Sequence, residues 1–137
     1  MAADTFELEI ATPERLLVKD RASEAEIPCT SGQIGVLPGH APLLSELGIG
    51  ELVYVTGGKK HSIAVSGGVV EVQPELVRIL AMTAEKPEDV DTNRAQSALK
   101  RAHDRLDTVK DNVDYARALN SAQRAQARIN VAASRKI

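Results

Sequence analysis

The sequence predicts a β + α protein: an N-terminal antiparallel β-sandwich followed by a C-terminal two-helix antiparallel hairpin. Two observations carry that expectation. All nine glycines lie between positions 32 and 68, and all six prolines lie at or before position 87. From position 88 to the end neither residue occurs. Turn formers punctuate the first part, as short strands require, whereas nothing in the second interrupts a helix. A third observation separates the parts further. Residues 1–84 carry six Lys and Arg against eleven Asp and Glu, whereas residues 85–137 carry eleven against eight. The boundary is expected at 86/87, giving a docking domain over 1–86 and an arm over 87–137.

The strands follow in order. Phe6, Leu8 and Ile10 alternate with Glu7 and Glu9, a half-buried strand ended by Thr12-Pro13. Leu16-Leu17-Val18 and Ala25-Glu26-Ile27 follow, the latter stopping before Pro28. Residues 51–56 are rich in Val and Tyr and run into Gly57-Gly58, a hairpin signal. Ile63-Ala64-Val65 resumes, Ser66-Gly67-Gly68 reads as another turn, and Val69-Val70-Glu71-Val72 continues. Residues 76–80 close the series after Gln73-Pro74. Many short strands between Gly and Pro turns favour a sandwich or barrel. With only 2% aromatic residues, its core must be mainly aliphatic.

Pro87 suits a first helical turn, and the acids at 88, 89 and 91 suit a helix N-terminus. Val90, Leu99, Ala102, Leu106 and Val109 mark the expected buried stripe of the first helix. Lys110-Asp111-Asn112 is the expected break, with Asp111 or Asn112 capping the second helix. Tyr115, Leu119, Ala122, Ile129 and Ala132 or Ala133 continue the stripe. Seven of the last 23 residues are alanine, so the seam buries little area and the arm should detach easily.

Composition excludes several function classes. No apolar run approaches the ~18 residues of a transmembrane helix, and the N-terminal residues do not read as a signal peptide. The lone Cys29 cannot form an internal disulfide and fits a reducing compartment. His40, His61 and His103 are scattered, with no metal-ligand spacing. Ser62 and Ser66 lack a nucleophile elbow. Gly57-Gly58-Lys59-Lys60 is a poor phosphate loop, because Val53 stands where a glycine is required and Lys60 where Ser or Thr is. No catalytic residue and no required cofactor are expected. Nucleic-acid binding is disfavoured by a pI near 5.9.

Two signals remain. Over residues 32–44, three glycines and two prolines impose a fixed backbone path, a strand connection or contact loop displaying Gln33 and His40. Arg117, Arg124, Arg128 and Arg135 are offset by 7, 11 and 18 positions, and so fall within about 40° of one another on a helix. Arg94, Arg101 and Arg105 repeat the first two offsets. Two such stripes repel unless ion pairs or an anion lie between them.

The 32–44 stretch, Ser66-Gly67-Gly68-Val69-Val70-Glu71-Val72 and Asp114-Tyr115-Ala116-Arg117-Ala118 together resemble the ε-subunit family of bacterial F-type ATP synthases. The resemblance spans about 6–132, with the landmarks in the expected order. It implies a sandwich with a helical hairpin in a proton- or sodium-driven complex on the cytoplasmic face of the inner membrane. It further implies a non-catalytic rotor subunit touching γ and the c-ring, with Gln33 and His40 toward the c-ring. Family members often carry an acid at position 33, so Gln33 removes a charge there. Extended, the arm would enter the catalytic α/β assembly and inhibit hydrolysis, with Arg117, Arg128, Arg135 and Lys136 against acidic β surface. Members that bind ATP place an acid before the arm, an Asp-x-x-Arg-Ala motif and further arginines around it. The matching positions are Glu85, Asp91, Arg94 with Ala95, Arg101, Arg124 and Arg128. The alternative is a stand-alone ATP-sensing module without a rotary partner.

Overall fold

In the computed structural model, which describes residues 4–108 and 111–134, seven strands precede two helices. The strands are β1 (Phe6–Ala11), β2 (Leu16–Ala22), β3 (Glu24–Cys29), β4 (Gly32–Val36), β5 (Leu43–Thr56), β6 (Lys59–Val72) and β7 (Leu76–Glu85). They hydrogen-bond in the order β2-β1-β7-β6-β5-β3-β4. Five of the six ladders are antiparallel and β1–β7 is parallel. The sheet folds over on itself, so that β2 packs against β5, four places away in the sheet order. The interior is filled from all seven strands, with Phe6, Leu8, Ile10, Ile27, Val36, Leu52, Ile63, Val70 and Ile79 buried. This is the aliphatic sandwich that the alternating pattern predicts.

Several local expectations change. Residues 32–44 are not one loop: β4 pairs with β3, a turn follows, and β5 begins at Leu43. Glycines 32 and 35 hide the strand, since their lack of a side chain weakens any alternating signal. Pro28 does not end β3, because it lies within the ladder to β4. Ser66-Gly67-Gly68 is no turn either; β6 runs through it with a kink, Gly67 and Gly68 at φ of 66° and 129°. A Cβ on Gly68 would lie 1.9 Å from the Leu80 carbonyl oxygen, so β7 can approach only a glycine there. Gly57-Gly58 does form the predicted hairpin, both with positive φ, as a type I′ turn needs.

The arm begins with one 3₁₀ turn (Pro87–Asp89), not with the first helix. Val90 is extended and buried, which resets the chain before α1 (Thr92–Thr108). The α2 helix spans Asn112–Ala133, and its N-cap Asp111 accepts a hydrogen bond from the Asp114 N–H at 2.8 Å. The predicted break therefore stands, with Asp111 as the cap.

The buried stripe differs from the expected one. Tyr115 and Leu119 are exposed, and Leu99, Leu106 and Ile129 only partly covered. Of the expected stripe Val90, Ala102, Ala122 and Ala132 are buried, and Ala95, Ala118, Ala125, Ala127 and Val131 join them from outside it. The reason is that α2 has two packing partners. One side meets α1, and the other lies on β5 and β6. There Ala127, Val131 and Ala132 close over Ala64 and Val90. Small side chains allow that double approach, and larger apolar residues are left at the margins. Val109 lies outside the described residues.

Candidate functional site

The arginine positions converge where the arm leaves the sandwich. Asp91 precedes α1 and its carboxylate accepts the Arg94 N–H at 3.1 Å, an N-cap bond. That bond explains the Asp-x-x-Arg-Ala spacing in physical terms. The cap sets where the helix begins, Arg94 falls at its third position, and buried Ala95 leaves room for α2. Arg101 stands two turns further along α1. From α2, Arg128 donates its Nε–H to Glu85 Oε1 at the end of β7, at 2.7 Å, with both side chains about two-thirds covered.

Glu85, Asp89, Asp91, Arg94, Ala95, Ala98, Arg101 and Arg128 line one cleft of about 340 Å³. Five of the six residues predicted for a nucleotide thus share it. The sixth, Arg124, does not: it donates to Ser121 Oγ at 3.0 Å and lines a smaller neighbouring crevice with Glu85, Ala127 and Arg128. Sequence reasoning missed Asp89, which accepts from the Lys86 N–H at 3.3 Å and from Arg15 at 3.3 Å. The signal was its place in the capping turn. Three guanidiniums facing three carboxylates make a mixed-charge cleft, in which the Arg128–Glu85 pair ties the arm to the sandwich.

The other predicted positions are dispersed. Gln33 is exposed on the edge strand β4, donating to Glu26 at 3.1 Å across the β3 ladder. His40 lies in the turn before β5, its Nδ1 2.7 Å from the Ala41 carbonyl oxygen. Arg117 is exposed on α2, 4.0 Å from Asp114. Arg135 and Lys136 lie outside the described residues. Among the described residues no cluster of His, Cys, Asp and Glu has metal-ligand geometry, and no helix is long and apolar enough to cross a membrane.

A second, larger cleft of about 790 Å³ opens between the β5–β6 hairpin and the start of the arm. Lys59, Lys60, His61, Ser62, Tyr54, Asp20, Lys86, Glu88 and Ser134 line it. The rings of Tyr54 and His61 stack at 5.0 Å. Burial, then the charges of Asp20 and Glu88, push the Tyr54 phenol above its ordinary range.

A sandwich docked to a helical hairpin, with a charged cleft at the joint, defines a two-part subunit. Comparison with known proteins places it. Residues 5–87 match the family profile of the ATP synthase delta/epsilon chain β-sandwich domain, and 88–133 that of its long α-helix domain. The chain belongs to the ATP synthase delta/epsilon chain family, as an epsilon-type member. It is 49% identical over 129 residues to the ATP synthase epsilon chain of Solibacter usitatus, covering 94% of this chain and 96% of the relative. The epsilon chain of Nitratidesulfovibrio vulgaris is 45% identical over 127 residues, covering 93% and 95%. Among solved structures, a chain of the Euglena gracilis mitochondrial ATP synthase, OSCP/F1/c-ring, shares the fold. Its TM-score is 0.79 at 22% identity, over 93% of this chain and 81% of that one.

Proposed function

We propose that this epsilon chain is a non-catalytic rotor subunit that couples the c-ring to γ and restrains ATP hydrolysis with a nucleotide-sensitive arm. In this reading the sandwich is the dock, Gln33 and His40 face the c-ring, and α2 is the inhibitory element. Released from the sheet, its Arg117 and Arg128, with Arg135 and Lys136 beyond, meet acidic β surface in the α/β assembly. Docked, the arm holds the cleft in which Arg94, Arg101 and Arg128 would neutralise a triphosphate. Asp91 orients Arg94 through its cap, while Glu85 and Asp89 suit the ribose or base edge or hold arginines in place. The observation that carries the reading is the convergence of Glu85, Asp91, Arg94, Arg101 and Arg128, from three elements, on one cleft.

A ligand that binds only the docked arm stabilises it by RT ln(1 + [L]/Kd), about 2.7 kcal/mol at a hundredfold excess. Falling ATP would then free the arm for inhibition. Calorimetric titration of the isolated chain with ATP tests the site: saturable heat is expected, weakened at least about tenfold in Arg128→Ala, since a charge-assisted contact is worth roughly 1.5–3 kcal/mol. Deleting residues 112–137 should raise hydrolysis by the reconstituted complex. No heat at millimolar ATP removes the nucleotide reading, and unchanged hydrolysis removes the inhibitory one. The stand-alone sensor is distinguished by co-purification, because a rotor subunit brings γ with it.

A further inference from the structure

The larger cleft has features that neither the arginine cleft nor the rotor reading uses. Three ammonium groups, Lys59, Lys60 and Lys86, line it together with two carboxylates, Asp20 and Glu88. Among the described residues none of these lysines makes an ion pair with those carboxylates or with any other. In the arginine cleft, by contrast, Arg128 is already bound to Glu85 at 2.7 Å. Like charges left unpaired on one wall raise the local potential and attract an anion. An independent observation points the same way. Tyr54 is only 5% exposed, lines the cleft, and its hydroxyl has no hydrogen-bond partner among the described residues. That hydroxyl is open to the cleft, a donor that an acceptor there can engage. His61 stacks on Tyr54, which fixes the imidazole at the same wall.

We propose that this lysine cleft binds a small phosphoryl-bearing anion, with Lys59, Lys60 and Lys86 supplying charge and the Tyr54 hydroxyl and His61 supplying directed hydrogen bonds. The walls explain the choice of ligand. Ammonium groups on flexible stems recognise a compact multivalent anion as point charges, without the flat bidentate geometry that carboxylate pairing by arginine uses. Asp20 and Glu88 oppose a second, extended anionic chain, so the ligand is compact. Its binding also has a consequence for the arm. Lys59 and Lys60 belong to the sandwich hairpin, whereas Lys86 lies at the hinge and Ser134 at the end of α2. An occupant that bridges them favours the docked arm, from a place separate from the arginine cleft.

The test uses the full chain, isotope-labelled, titrated with pyrophosphate at constant ionic strength and followed through the Tyr54, His61 and Arg94 signals. Saturable shifts are expected at Tyr54 and His61. In Lys59→Gln/Lys60→Gln the affinity should fall at least about tenfold, by the loss of two charge-assisted contacts. Exchange of α2 amides should slow with pyrophosphate in the wild type and not in that variant. Both lysines are exposed, so folding is not at risk, and unchanged Arg94 signals in the free variant check this. Inorganic phosphate and ATP, titrated in parallel, tell a free phosphate source from a nucleotide tail by which of them shows the same dependence on Lys59 and Lys60. Linear, non-saturating shifts at Tyr54 and His61, or an affinity unchanged in the double variant, would overturn the proposal. Loss of ATP binding at the arginine cleft alone would leave these signals unaffected, which keeps the two sites distinguishable.

Discussion

Phe6, Leu8, Ile10, Leu52 and Ile79 fill the sandwich, each at most 1% exposed, whereas the buried residues of the helix pair are mostly alanines. Burying a large aliphatic or aromatic side chain contributes about 1.5–3 kcal/mol, and a methyl group less than 1. Both regions exclude water, but the sandwich gains far more per residue from doing so. The arm adds to its alanine packing the buried Val90 and Val131 and, among the described residues, two ionic ties, Arg128 to Glu85 and Asp89 to Arg15. This difference teaches which part is held more weakly. The sandwich has its own closed core, and the arm rests on it through small side chains, the contact that the proposed release of the arm would have to break.

The comparison can be broken or sharpened by substitution. Phe6→Ala should cost about 3–5 kcal/mol of global stability, read from urea unfolding of the sandwich. A loss below 1 kcal/mol would contradict a core packed by few large side chains. Val131→Ala should cost about 1–2 kcal/mol, confined to the arm. Amide exchange in α2 would accelerate roughly tenfold while the strands keep their protection. If the strands lose protection equally, arm and sandwich are one cooperative unit.

Smaller effects test the tie and the second cleft. Glu85→Gln leaves a partly covered Arg128 without its carboxylate and should weaken docking by at most about 1 kcal/mol, given solvent screening. That is a few-fold rise in α2 exchange, abolished at high salt. Tyr54 gives the smallest effect at neutral pH and a growing one in alkali. Its folded-state pKa lies above the ordinary 10.0, so above that value the native state holds a proton that the unfolded state has released. Stability therefore falls as pH rises past about 10. Tyr54→Phe should lose that component, seen as a flatter alkaline limb in unfolding curves and no late phenolate absorbance.

Much of this was legible in the residues. The absence of Gly and Pro after position 87 marked the arm, and alternation over Phe6, Leu8 and Ile10 marked a strand now fully buried on that face. Arginine spacing found Arg94, Arg101 and Arg128 of the cleft's lining, because helical periodicity maps sequence offset onto a face, whereas Glu85 and Asp91 came from the family resemblance. What was not legible depended on contacts between distant segments. Gly68 reads as a turn in sequence, and only the approach of the Leu80 carbonyl shows why a strand needs glycine there. Helical spacing placed Tyr115 and Leu119 in the seam beside Ala122 and Ala132, and only the two alanines are buried. A helix pressed between another helix and a sheet buries its smallest residues instead. Arg124 shares the stripe but points to the neighbouring crevice, a difference of one helical turn from Arg128 that periodicity does not resolve.

The central claim is that the arm docks weakly on an independently stable sandwich and that a nucleotide in the arginine cleft holds it there. Native-state hydrogen exchange of the full chain, with and without millimolar ATP, tests it most directly. The account predicts α2 amides exchanging far faster than those of β1, β6 and β7 without ATP, and slowing roughly a hundredfold at a hundredfold excess over Kd. Equal protection of α2 and the strands, or α2 exchange indifferent to ATP, would contradict it.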